Sequence, residues 1–119
     1  MKRILLEVIA TTPEDARIAQ EAGADRIELI SAQSEGGLTP SLGMVEQIMS
    51  EITIPVHAMI RPHSHSFVYQ PQELQSMQRD IGHFARAGVT ALVLGVLDTK
   101  QQIDEKALAL LLHAAQEAS

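Results

Sequence analysis

The chain reads as an α/β protein of parallel β-α units, and three observations carry that reading. Short apolar runs recur at residues 4–9, 25–30, 54–60 and 91–97. Each is followed by a segment whose apolar side chains fall at helical spacing, opened by a capping residue or a proline. Residues 19–29 also echo residues 84–94, a helix-glycine-strand module used twice. Strands alternating with helices predict a parallel sheet with right-handed helical crossovers. The echo is frequent in barrels of β-α repeats, although an open doubly wound sheet also produces one.

The first strand, 4–9, is apolar except for Glu7, the pattern of a strand buried on both faces. Thr12-Pro13-Glu14-Asp15 opens a helix with a cap, a first-turn proline and acids suited to the helix dipole, and Gly23 closes it. The second strand, 25–30, carries Glu28 inside it. The helix after it runs from about Pro40 to Glu51, with Leu42, Val45, Ile48 and Met49 on one stripe. The third strand, 54–60, holds Pro55 near its start, where a missing donor is tolerated, and His57 in its interior. A long polar loop from Arg61 to Tyr69 follows, and loops of that length in compact domains are usually functional or mobile. A helix over 71–87 ends at Gly88, the fourth strand spans 91–97 and leads to Asp98, and the last helix starts near Asp104.

At 119 residues and 13.0 kDa, residues 1–119 form one domain that buries roughly two-thirds of its unfolded surface. Nine Lys and Arg against fifteen Asp and Glu give a net charge of -6, which argues against nucleic acid and anionic membranes as partners. Metal ions, small molecules and proteins remain. The absence of cysteine rules out disulfides and thiolate metal sites, so a metal here must use His, Asp or Glu. The apolar run at the start is interrupted by Glu7 and is too short for a signal peptide or membrane span, so a cytoplasmic location is expected.

Chemistry concentrates at the loop Ser34-Glu35-Gly36-Gly37-Leu38-Thr39-Pro40-Ser41-Leu42-Gly43. Gly36 and Gly37 can adopt positive φ and admit another backbone or an anionic ligand, while Thr39-Pro40 reads as an N-cap followed by a first-turn proline. A well-made turn explains the same residues equally well.

Together with Leu6-Glu7-Val8, the stretch 23–29, Ile54-Pro55-Val56-His57 and Met59-Ile60-Arg61-Pro62, this loop resembles the CutC family, described as copper-homeostasis proteins. The resemblance covers essentially the whole chain. It implies a cytoplasmic TIM-type barrel with its sites at the C-terminal ends of the strands, and a role in copper homeostasis or copper binding. A closed barrel takes about 250 residues, so four units correspond to a half-barrel, the N-terminal half. Either the polypeptide is truncated, or a natural half-barrel covers its exposed first and fourth strands by pairing with another copy, making a homo-oligomer. The resemblance also implies that copper-linked members carry cysteines where this chain has Ile9 and Ile30, so a thiolate Cu(I) site is missing. The family's Arg-Pro-Arg-Gly-Gly-Asp-Phe is replaced by residues 61–67.

Glu7 and Glu28 lie in apolar strands, where a carboxylate is costly unless paired, and Arg61 is the expected partner. They read as a structural ion pair or as acid/base groups. Glu35 and Asp98 follow strands, where β-α loops carry catalytic groups, although turn chemistry explains Asp98 as well. Arg61, with Gly36 and Gly37, would bind a small anion. His63 and His65 form a His-x-His pair that could ligate Zn(II) or Cu(II), set against solvated loop histidines. Of the methionines, Met44, Met49 and Met77 look like core positions. Three functions stay open: a CutC-like copper protein, a barrel enzyme acting on a small anionic substrate, and a fragment that only self-associates or joins a missing C-terminal half.

Overall fold

The computed structural model describes residues 3–119. Its elements alternate: β1 (Glu7–Ala10), α1 (Pro13–Ala22), β2 (Arg26–Leu29), a 3-10 turn (Gln33–Glu35), α2 (Leu42–Glu51), β3 (Val56–Met59), α3 (Pro71–Ala87), β4 (Ala91–Val93) and α4 (Glu105–Ala118). The strands form one sheet in the order β1-β2-β3-β4, every pair parallel. Val8 lies opposite Ile27, Ile27 opposite Val56, and Ala58 opposite Leu92. This is the half-barrel arrangement of β-α units.

Side-chain alternation gives the sheet two faces. Ala10, Ile27, Leu29, Val56, Ala58 and Ile60 are buried under the helices against Ala16, Val45, Ile48, Met77, Phe84 and Leu111. The opposite face carries Glu7, Ile9, Arg26, Glu28, His57 and Met59, none of them fully buried. The expectation that the first strand is buried on both faces is therefore corrected: Ile9 is 50% exposed, because only one face of this sheet meets helices.

Local chemistry sets the element ends. Thr12 Oγ1 accepts the Asp15 N–H at 3.0 Å, with Pro13 at the first helical position, and Gly23 closes α1 at φ 103°. The start of α2 is a second correction. Its cap is Ser41, whose Oγ accepts the Met44 N–H at 3.1 Å, while Thr39 and Pro40 stay outside the helix. The Thr39 hydroxyl is drawn away by β3, accepting the Arg61 N–H at 2.7 Å. β4 is shorter than expected, because the chain leaves the sheet after Val93, and Leu97 forms an isolated antiparallel bridge with Ile103. Asp25 clips the lead into β1: Oδ2 accepts the Leu6 N–H at 2.7 Å and Oδ1 pairs with Arg3 at 2.6 Å. The Leu6 N–H, then Arg3, holds its carboxyl below the usual range. No helix among the described residues is long and apolar enough to cross a membrane.

Candidate functional site

The C-terminal ends of β2 and β3 are stitched together by main chain. Thr39 N–H donates to the Arg61 carbonyl at 3.0 Å, reciprocating the bond from Arg61 N–H, and Ser31 bridges Leu38 in antiparallel fashion. The loop between them is strained locally, with Ala32 in the left-handed region at φ 49° and Gly36 and Gly37 at 89° and 98°. The glycines are needed. A Cβ on Gly36 would sit 2.9 Å from Arg61 Nη1, and one on Gly37 would meet the Ile30 side chain at 3.3 Å.

Arg61 is thereby wedged into the mouth of the sheet. Its Nη1 donates to the Glu35 carbonyl at 3.3 Å, and its guanidinium carbon lies 4.5 Å from the centroid of the Phe67 ring. Nε is buried without an acceptor, as is the Tyr69 hydroxyl. Burial pushes the Tyr69 phenol up, and the neighbouring Arg61 pulls it back. Among the described residues no carboxylate pairs with Arg61. The Glu35 carboxylate accepts from Ser64 Oγ at 3.4 Å.

The expected pairing of Glu7 and Glu28 with Arg61 does not occur. Arg61 lies four residues beyond His57, the register partner of Glu28, a rise of about 13 Å along the strand. Glu7 instead takes Arg26 and His57: its Oε1 accepts from Arg26 Nε at 2.8 Å and lies 3.1 Å from His57 Nδ1. Burial, then the Glu7 carboxylate, pushes the Glu28 carboxyl above its ordinary range, with His57 acting against them. The candidate residues thus form two groups, one at the mouth and one lower on the open face.

The loop histidines are engaged internally. His63 Nδ1 accepts the His65 N–H at 3.2 Å, and His63 Nε2 lies 2.7 Å from Glu73 Oε2. The His63 ring stands 5.0 Å from that of His65 and edge-on to Tyr69 at 5.3 Å. Asp98 has the turn role: Oδ1 accepts the N–H groups of Lys100 at 2.8 Å and Gln102 at 3.0 Å. Sequence reasoning missed Arg26, Phe67, Tyr69 and Glu73. Arg26 was within reach, because placing the first two strands in parallel register sets it across from Glu7.

A family model described as the CutC family matches residues 4–119. This chain belongs to the CutC family. It is 46% identical over 99 residues to the family protein CutC of Yersinia pseudotuberculosis serotype I, covering 83% of this chain and 39% of that protein. The Erwinia tasmaniensis CutC family protein is 40% identical over 111 residues, covering 93% of this chain and 44% of the relative. Among solved structures, the putative copper homeostasis protein CutC from Streptococcus agalactiae matches with a TM-score of 0.88 at 38% identity, over 96% of this chain and 56% of that one. The chain therefore spans about half the length of these CutC relatives, or less. A phosphonopyruvate hydrolase, at 20% identity and a TM-score of 0.67, shares the fold alone.

The CutC family is tied by name to copper. The chain has no cysteine, Met77 is buried, and Met44 and Met49 pack against the core. Both ring nitrogens of His63 already have partners, and no group of three or more His, Asp or Glu among the described residues is arranged to hold a metal. Among the described residues, the histidines, carboxylates and helix methionines do not fit a copper site.

Proposed function

We propose that these CutC β-α units bind a small anion at the C-terminal ends of the strands, with Arg61 as receptor and the Gly36-Gly37 loop as its wall. The carrying observation is the Arg61 guanidinium, half-buried and without a carboxylate partner among the described residues. A cation withdrawn from water is costly unless compensated. A bound carboxylate or phosphate supplies the compensation, and the planar fork of arginine suits both. If the bound anion reacts, Glu35, on the loop whose carbonyl meets Arg61, is the acid/base candidate. Glu7 and Glu28 lie too far down the sheet to touch the same small molecule, and Asp98 is committed to its turn.

Calorimetric titration of inorganic phosphate and of acetate tests this. Wild type is expected to bind at least one of them, Arg61→Lys more weakly, and Arg61→Ala at least tenfold more weakly, the equivalent of about 1.4 kcal/mol. Absence of binding by wild type, or unchanged affinity in Arg61→Ala, overturns the reading. Of the loop pair His63 and His65, His63 is already engaged by the His65 N–H and Glu73, so a copper role for this chain would need ligands from elsewhere.

A specific observation favours a second reading, self-association. Apolar grooves line both free sheet edges: Leu6, Val8 and Ile18 beside β1, and Leu92, Leu111 and Leu112 beside β4.

A further inference from the structure

Glu7, Arg26, Glu28 and His57 form a cluster apart from the mouth of the sheet, and they sit on three consecutive strands. Glu7 belongs to β1, Arg26 and Glu28 to β2, and His57 to β3, all on the face that the helices do not cover. One oxygen, Glu7 Oε1, faces both Arg26 Nε and His57 Nδ1. Glu28 is in register with His57 on one side and with Ile9 on the other, and His57 is in register with Ala91. Thus β4 brings no charged group to this level. Glu7, Arg26 and His57 are the ionisable groups that face Glu28.

Charge counting limits what this cluster can hold. The ionised Glu7 and Arg26 cancel. Glu28 and His57 then carry no net charge together in two forms only, both neutral or both ionised, and the two forms differ by the position of one proton. We propose that Glu28, Glu7 and His57 share a single proton across the β1-β2-β3 seam, and that losing it weakens the seam. With the proton on Glu28, a carboxylic acid faces the Glu7 carboxylate and can donate to it. Once that proton leaves the cluster, two carboxylates confront each other on adjacent strands beside Arg26. The seam is therefore a pH-sensitive element of the open face.

The sign follows from the direction of the Glu28 displacement. A carboxyl whose folded pKa lies above its unfolded value stabilises the fold fully below the unfolded value. That stability is lost as pH rises through the folded value. His57 acts in the opposite sense on Glu28, and burial with the Glu7 carboxylate outweighs it, so the effect lies above the ordinary carboxylate range.

Carboxyl carbon NMR of the whole chain, labelled at glutamate, tests the proposal together with melting curves over the same pH series. Expected are a Glu28 midpoint above those of the exposed glutamates, a Glu7 resonance that moves at the same pH, and a melting temperature that falls through that midpoint. Glu28→Gln can still donate to Glu7 but carries no titrating proton, so its melting temperature is expected to lose this slope. Should that variant not fold, Glu7→Gln in its place is expected to lower the Glu28 midpoint. A Glu28 titrating with the exposed glutamates, a Glu28→Gln variant with the wild-type slope, or a Glu28 midpoint unmoved by Glu7→Gln overturns the proposal.

Discussion

Gly36 shows how much a single residue decides at the mouth of the sheet. Its φ of 89° is one that side chains rarely adopt, and a Cβ there would press on Arg61 Nη1 at 2.9 Å. Gly36→Ala therefore meets two penalties, backbone strain and displacement of the guanidinium. It is expected to lower stability by about 1–2 kcal/mol and to weaken phosphate or acetate binding in the same protein. Gly43→Ala is the control, because nothing lies within 4 Å of its added carbon and its φ is not positive. Chemical denaturation with anion titration checks both, and a Gly36→Ala protein indistinguishable from Gly43→Ala would remove the steric argument. The glycine pair was visible in the sequence as a place of close approach. That the approaching group is Arg61, arriving from the next strand, depends on register, and no local pattern carries that.

At the scale of elements, helices announced themselves where their signals were unambiguous. α3 begins at Pro71 and ends before Gly88 as expected, because a first-turn proline and a left-handed glycine bracket one apolar stripe. α2 was harder, since Thr39, Pro40 and Ser41 offer two hydroxyl caps and a proline within three residues. A tertiary bond chose between them by claiming Thr39 for the Arg61 N–H. The two hydroxyls therefore have different jobs, and alanine should separate them. Ser41→Ala is expected to cost about 1 kcal/mol of stability as a lost cap, with anion binding unchanged. Thr39→Ala leaves the helix start intact and frees the exit of β3, so it is expected to weaken anion binding more than Ser41→Ala does. Denaturation midpoints and anion titrations on the two variants decide this, and an equal loss of binding in both would refute it. Strand ends were the least legible feature. Apolar runs continue past the ladder, and only partners in the sheet determine where pairing stops.

At the scale of the whole molecule, the open question is what covers the two sheet edges. β1 and β4 each have a neighbour on one side only, and Ile9, Ile18 and Leu112 are 50%, 51% and 52% exposed. Exposed apolar edges of a parallel sheet are an invitation to pairing. Two copies related by a two-fold axis would set β4 of each beside β1 of the other and close an eight-stranded ring, the strand number of a TIM-type barrel. In that arrangement α1 of one copy approaches α4 of its partner, bringing Ile18 and Leu112 to the same junction. A charge at either position should then break the dimer, and opposite charges at both should restore it. Native mass spectrometry and light scattering at micromolar concentration are expected to find wild type dimeric, Ile18→Lys and Leu112→Glu shifted toward monomer, and the double variant dimeric again. The rescue is the decisive result, because non-specific aggregation through sticky edges would be relieved by both charges together, never restored. A wild type that stays monomeric, or a double variant more dissociated than either single one, would mean that these edges are not joined by a second copy.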